Sequence, residues 1–472
     1  MRHLKAAIIF VLTLLAFVAY TPQSVYNPQQ VTRIALTLAM TEGRLDIDDY
    51  AALTVDLAQH EGHFYADKPP GLSLLAVPGV AVARQFLGVP TGVLDRQQFP
   101  IAMIVAVLST VAPLAALAAA ALYLLCRRLG LSDASALFAA AAMALGTPFF
   151  GWSTAFFAHA VTGSLLLLAL ALAVWSRGRH SRWAAPVLGL MLGFTLTTDL
   201  VSAPAVAVIA LYYLLAERER RWSRLVGGSI GGVAGLLPLL IYNQMVFGSP
   251  FTLGYSQVVG FEGMKQGLFG LTVPNPTVIG EVLFGLHRGL LPLAPVLLLL
   301  PLGWWRMAMR PDARALAATT LGVALSFLLV NASYFYWDGG SSTGPRHLIG
   351  MLPVLGVVLG FGWPARRPGQ AMALGLLTVS VLISAACAAT YMFADVRFPA
   401  PFFDPILGLI LEQGAWVRLL NVLVPCAGFA LLTMMREPSG PEGDQLAARP
   451  LDAAIEVELE KQRLDPAGGN AG

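Results

Sequence analysis

Residues 1–20, MRHLKAAIIFVLTLLAFVAY, decide how the rest of the chain is read. Arg2 and Lys5 precede an apolar run, as in a secretory signal, but no small-x-small cleavage site follows. The segment is therefore read as an uncleaved first membrane span. Composition agrees: 57% of the 472 residues are hydrophobic and 12% are charged, against roughly a quarter charged in soluble domains. Mean hydropathy is +0.69. Apolar stretches of about 20 residues, enough to cross about 30 Å as helices, recur along the chain. They lie near residues 101–126, 134–152, 160–176, 183–199, 200–216, 225–247, 287–303, 315–336, 348–363, 371–394 and 416–435. With the first span, near 5–20, this makes an all-α, polytopic bundle of about twelve transmembrane helices over residues 1–435.

Charge sets the expected topology. Five short loops collect arginines: Arg127 and Arg128; Arg177, Arg179 and Arg182; Arg218, Arg220, Arg221 and Arg224; Arg306, Arg310 and Arg314; Arg366 and Arg367. By the positive-inside rule these loops, and both termini, face the cytoplasm. Residues 436–472 are expected to form an acidic, mostly disordered cytoplasmic tail, with LDAAIEVELEKQRL as a short amphipathic helix. From Glu437 onward this tail holds eight acids against three bases, so the net charge of +3 leaves about +8 on the membrane part. That excess follows from topology rather than nucleic-acid binding. Cys126, Cys387 and Cys426 have no metal-type spacing and imply neither a disulfide framework nor a zinc site.

Residues 21–100 then form a first outer loop far longer than an ordinary connection. It carries Glu42, Asp46, Asp48, Asp49, Asp56, Glu61, Asp67 and Asp95. The helical spacing of VTRIALTLAM and GLSLLAVPGVAVARQFLG predicts helices lying in the outer interface. Other outer loops are polar and aromatic: GWSTAFFAHA (151–160), the stretch 249–288, WDGGSSTGPRHL (337–348) and VRFPAPFFDP (396–405).

Each candidate residue has a functional and a purely structural reading. Asp48 and Asp49 sit beside apolar residues at the membrane surface, where a carboxylate accepts a proton from a hydroxyl or merely solvates the loop. In FYADKPPG (64–71) the prolines fix the backbone before a helix, and Gly71 lets the chain turn sharply into it. That turn either aims Lys68 and Tyr65 at a phosphate, with Asp67 beside them, or holds a local ion pair. Trp337 and Asp338, with Arg346 and His347 in GPRHL, offer a stacking face and a phosphate-pairing guanidinium, or an interfacial anchor. Arg288 in GLHRGLL, and Asn243 and Tyr255 in YNQMVFGSPFTLGY, are weighed the same way. His159 ends a span as a ligand contact or a satisfied interfacial residue. Asp199, in LTTDLVSAP, is a costly carboxylate inside a bundle, or is solvated if its turn opens outward. GGSIGGVAG (227–235) reads as helix packing rather than a phosphate loop, since no GK[ST] follows.

With these residues in place, the chain resembles the GT-C superfamily of polyprenyl-phosphate-dependent glycosyltransferases. It is most similar to bacterial members related to protein O-mannosyltransferases and lipid A aminoarabinose transferases. The likeness rests on the order of span, long outer loop, Tyr-x-acid-Lys-Pro turn and bundle, and on FGSPFTLGY and YWDGGSSTGPRHL. It implies transfer of a sugar from a polyprenyl-phosphate donor to the hydroxyl of an acceptor glycan, lipid or protein on the outer face of a bacterial inner membrane, with no nucleic-acid partner. It also implies that Tyr65 and Lys68 bind carrier phosphate, that Arg288 or Arg346 is a second cation, and that Asp67 positions ligand or a divalent metal. No other cofactor is implied. Related transferases carry an acid soon after the first span; this chain has NPQQVTR, with Asn27, Gln29 and Gln30. The catalytic base is therefore expected at Asp48, with Asp49, Asp46 and Asp67 next, and Arg33 facing the same pocket. The rival readings are a twelve-helix secondary transporter and a lipid-linked glycan polymerase or ligase. The long acidic loop and the charges gathered at one face favour the transferase over the transporter.

Overall fold

The computed structural model describes residues 1–21, 27–90, 92, 98–179, 181–412 and 414–435. The expectations for Asp95 and for the 436–472 tail fall outside the described residues. The N-terminal apolar run forms α1 (Arg2–Tyr20). The long first loop contributes α2 (Pro28–Thr41), strands β1 (Leu57–His60) and β2 (His63–Ala66), and α3 (Gly71–Phe86). There follow α4 (Gln98–Ala106), α5 (Ala112–Arg128), α6 (Asp133–Leu145), α7 (Phe149–Trp152), α8 (Ala158–Trp175), α9 (Ala184–Thr198), α10 (Ala203–Leu215) and α11 (Arg221–Phe247). The second half comprises α12 (Pro276–Phe284), α13 (Leu290–Leu293), α14 (Leu300–Met309), α15 (Arg314–Ser333), α16 (Leu352–Gly362), α17 (Arg367–Ala389), α18 (Leu407–Glu412), α19 (Trp416–Leu419) and α20 (Leu423–Met434).

Eleven of the twelve expected spans fall largely on helix and the twelfth does so in its second half, so the polytopic helical bundle stands. Among the described residues, seven helical segments are long and apolar enough to cross a membrane: Arg2–Tyr20, Gln98–Arg128, Ala158–Trp175, Arg221–Phe247, Arg314–Ser333, Arg367–Ala389 and Trp416–Met434. The other five expected spans fall on apolar helices of 10–17 residues, shorter than the run of about 20 that spans a bilayer unaided. The stretch 287–303 differs most: its first half is an irregular turn and the short α13, and the longer helical run begins at Pro295.

GGSIGGVAG lies inside α11, where it packs helix on helix. A Cβ on Gly231 would stand 1.9 Å from the Pro186 carbonyl oxygen, and one on Gly189 would stand 2.0 Å from that of Gly228. Backbone touches backbone between α9 and α11, which needs small residues on both sides. Gly231→Leu is expected to cost about 3 kcal/mol or more through overpacking. A lowered midpoint of thermal unfolding in detergent would register it; an unchanged midpoint would refute the contact.

The long first loop is built from local rules. The Asn27 side chain accepts from the Gln29 amide at 3.0 Å and caps α2, with Pro28 at its first turn. Ser73 on α3 donates to the Arg33 carbonyl at 2.8 Å, and Thr37 on α2 donates to the Ser73 carbonyl at 3.3 Å, locking the two helices together. The hairpin was not expected. It reverses at Glu61 and Gly62, both at positive φ, after four paired residues on each strand. Ala58 then bridges Val258, and Leu271 bridges Tyr334, so the hairpin, the 249–275 segment and the start of the 334–346 loop form one connected layer over the bundle.

Candidate functional site

FYADKPPG runs from strand to helix and places the site's charged centre. Phe64–Ala66 end β2, Asp67 and Lys68 follow, and Pro70 leads into α3. Gly71 presses against the end of α9, where a Cβ would stand 2.6 Å from the Thr197 carbonyl oxygen. Glycine is needed there for that close approach, which brings Lys68 up to the α9–α10 junction.

Lys68 forms ion pairs with Asp67 and, at 3.3 Å, with Asp56. Asp67 is 2% exposed and Asp56 is 7% exposed. Burial opposes the Lys68 charge, but the two carboxylates outweigh it and hold the ammonium above the usual lysine range. Burial pushes the Asp67 carboxyl up to about 6, while Lys68 pulls the other way. One cation thus serves two buried acids, and Asp67 Oδ1 has no hydrogen-bond partner among the described residues.

Beside this centre lies a cavity of about 260 Å³, walled by residues from distant parts of the chain. Gln29 and Arg33 come from α2, Lys68 from the turn, His159 from α8, and Asp199 from the α9–α10 junction. Tyr255 and Phe269 from the 249–275 segment, with Asn331, Tyr334 and His347, complete its lining. The Asp199 side chain accepts from the Val201 amide at 3.3 Å, and its other oxygen lies 3.3 Å from His159 Nδ1. Several buried polar atoms around this cavity have no partner among the described residues: Arg33 Nε, His159 Nε2, His347 Nε2 and both amide atoms of Asn331. Buried polar groups are nearly always satisfied, so such a concentration around one cavity marks a place for a polar ligand.

The structure gathers some expected residues and leaves others out. Arg33, Lys68, His159 and Tyr255 line the cavity. Asp67 stands directly behind Lys68. Asp48 and Asp49 are on the exposed edge: Asp48 Oδ1 accepts from the Phe64 amide and its Oδ2 pairs with His63, both at 2.6 Å, while Asp49 pairs with Arg44 at 2.5 Å. Burial works against the Asp48 charge, but those two partners hold its carboxyl below the ordinary range. Asp46 likewise pairs with Arg44, at 2.9 Å. Tyr65 packs against Phe247 outside the cavity lining, with ring centroids 6.1 Å apart. Arg288 is wholly buried and donates to the carbonyls of His287, Asp338 and Gly340, at 3.2, 2.9 and 2.7 Å. It shapes the WDGG loop. The Asp338 side chain accepts from the Gly340 amide at 2.8 Å within that loop, and Trp337 packs edge-on against His287. Asn243 donates to the Pro250 carbonyl at 3.1 Å, holding the FGSP turn. Arg346 stands 6.0 Å over the Phe157 ring, next to the cavity-lining His347, and its Nε lacks a partner among the described residues.

Asp199 and His347, both noticed in the sequence, line the cavity, whereas Asp56, Asn331 and Tyr334 went unassigned. Asp56 had only its membership of an acidic loop as a signal, and Asn331 and Tyr334 lay at the end of an apolar span. The NPQQ departure also gains an explanation: Asn27 is a helix cap, Gln29 lines the cavity, and Gln30 Oε1 accepts from the Phe156 amide at 2.8 Å. Among the described residues, no group of three or more His, Cys, Asp or Glu is placed to hold a metal ion.

The architecture is an N-terminal apolar helix, a long helical loop and a helical bundle. Solved structures that share it include two of ArnT from Cupriavidus metallidurans. The chain aligns with ArnT bound to undecaprenyl phosphate at 17% identity and a TM-score of 0.52, covering 97% of this chain and 78% of that one. The apo state aligns at 17% identity and a TM-score of 0.51, covering 90% and 74%. No family model and no curated protein sequence matches the chain. At this identity the likeness establishes the fold, and activity rests on the cavity.

Proposed function

We propose that the protein is a membrane glycosyltransferase that moves a sugar from a polyprenyl-phosphate donor to an acceptor hydroxyl at this cavity. The supporting observation is one cavity lined by two cations, Lys68 and Arg33, and one carboxylate, Asp199, amid buried polar atoms that have no partner among the described residues. ArnT, which shares the fold, binds undecaprenyl phosphate. In this reading Asp199, steadied by His159, accepts the acceptor's hydroxyl proton. The freed oxygen attacks the anomeric carbon with inversion. The bond from that carbon to the phosphate oxygen breaks, leaving its electron pair on the carrier phosphate. That phosphate gains one negative charge, and Lys68 and Arg33 stabilise it. Asp67 and Asp56 hold the Lys68 ammonium in place. Arg346, one residue from the cavity wall, remains the candidate for a further cation. The arginine-rich loops support placing both termini in the cytoplasm of a bacterial cell and the cavity outside.

The reading carries a pH signature. Above about 6 Asp67 is ionised, and Lys68 faces two carboxylates; below it the Asp67 carboxyl is protonated and the local charge is one unit less negative. The donor is a phosphodiester with a constant single charge over this range. Its KM is therefore expected to fall as pH drops from about 7.5 to about 5.5, and Asp67→Asn is expected to flatten that slope. A donor KM independent of pH in the unmutated protein would count against the charge arrangement. Undecaprenyl phosphate titrated into the purified protein should raise its unfolding temperature. A flat titration would argue against the carrier reading.

A further inference from the structure

A second cavity, of about 300 Å³, opens at the other end of the helices that frame the first. His159 begins α8 and Asp199 follows α9 at the first cavity, whereas Ser176 follows α8 and Ala184 begins α9 at the second. A 15-residue helix is about 22 Å long, so the two cavities face opposite sides of the bundle. The second is lined by Arg179, Arg182, Arg220 and Arg224, with the hydroxyls of Ser181 and Ser223 between them. The two loops that form it, residues 176–187 and 217–224, hold seven arginines in the sequence against Glu217 and Glu219.

The cavity has a built floor and an open rim. Arg224 is 5% exposed, pairs with Glu217 at 2.8 Å, donates to the Tyr213 carbonyl at 2.8 Å and stacks 4.5 Å over the Tyr213 ring. Arg179 and Arg182 are exposed at the rim, where they stack on Trp175 and Trp183 at 4.4 and 5.4 Å. Neither has a carboxylate partner among the described residues. Trp175, Trp183 and Trp222 are 47%, 64% and 78% exposed around the same end of the bundle. Exposed tryptophans at helix ends belong at headgroup depth.

The geometry points to a binding site for the phosphate group of an anionic lipid, held on the face opposite the sugar-transfer cavity. Guanidinium forks pair with phosphate oxygens in bidentate fashion, the serine hydroxyls supply further donors, and the tryptophans place the cavity where headgroups lie. A lipid suits the observations better than free phosphate because exposed tryptophans stand around this end of the bundle and the apolar helices α9 and α11 form the wall. The glycine contacts between those two helices keep the wall rigid.

The test uses the full chain in detergent, titrated with phosphatidylglycerol and read by native mass spectrometry. Arg179→Gln with Arg182→Gln should weaken binding roughly 30-fold, about fivefold for each arginine near a headgroup. Arg366→Gln with Arg367→Gln removes the same charge from exposed positions outside the cavity and should leave the affinity unchanged. Inorganic phosphate at matched concentration should not displace the lipid. Equal losses in the two double variants, or no loss in the first, would overturn the site. Displacement by inorganic phosphate would overturn its assignment to a lipid. Should the first double variant unfold, Ser181→Glu at the exposed rim applies the same test, with a comparable loss expected and unchanged binding overturning the site. Because binding is read directly, failure here leaves the sugar-transfer reading standing, and failure of sugar transfer leaves this site standing.

Discussion

Replacing Lys68 by alanine is expected to lower sugar transfer about a thousandfold, the effect of removing a preorganised charge from a site where negative charge develops. The loss should fall mainly on kcat, because the carrier phosphate gains its second charge only as the glycosidic bond breaks. Removing the ammonium also leaves Asp56 and Asp67 buried without their cation, which destabilises the turn. Lys68→Arg separates the two effects: it keeps the charge and should retain both fold and part of the activity. An alanine variant that folds normally and transfers sugar at the unmutated rate would remove Lys68 from the mechanism.

Asp199→Asn is expected to cost about a thousandfold in kcat with little change in donor KM, as for loss of a general base. Asparagine is nearly isosteric and can still accept from the Val201 amide, so the α9–α10 junction should stay intact. Asp48→Asn provides the contrast. Its carboxylate is spent on His63 and the Phe64 amide at the hairpin edge, and activity should be close to that of the unmutated protein. A large loss in Asp48→Asn with full activity in Asp199→Asn would return the base to the outer loop.

The contrast between these two acids shows what the sequence made legible. Helices were readable because apolar length and the arginine clusters act over whole segments, and α2 and α3 were readable from their spacing. FYADKPPG was readable as a rigid turn because two prolines constrain the backbone wherever they occur. Which acid faces inward depends on contacts between distant parts of the chain. Asp48 lies outward because the Glu61–Gly62 reversal sets His63 and Phe64 beside it, and no helical period foretells that two-residue turn. Arg288, a plausible phosphate ligand by type, is used on three carbonyls that come together only after folding. Asp199 was conspicuous as an acid in an apolar stretch, but its place on the cavity wall depends on Gly71 packing against Thr197.

The most direct test is a single-turnover reaction of the protein in sealed vesicles, with a panel of polyprenyl-phosphate donors labelled on the sugar. The account predicts that with one donor the label leaves the lipid and appears on an acceptor, with one polyprenyl phosphate released for each sugar moved. Passage of a substrate across the vesicle membrane with every donor left intact would contradict it and favour a transporter.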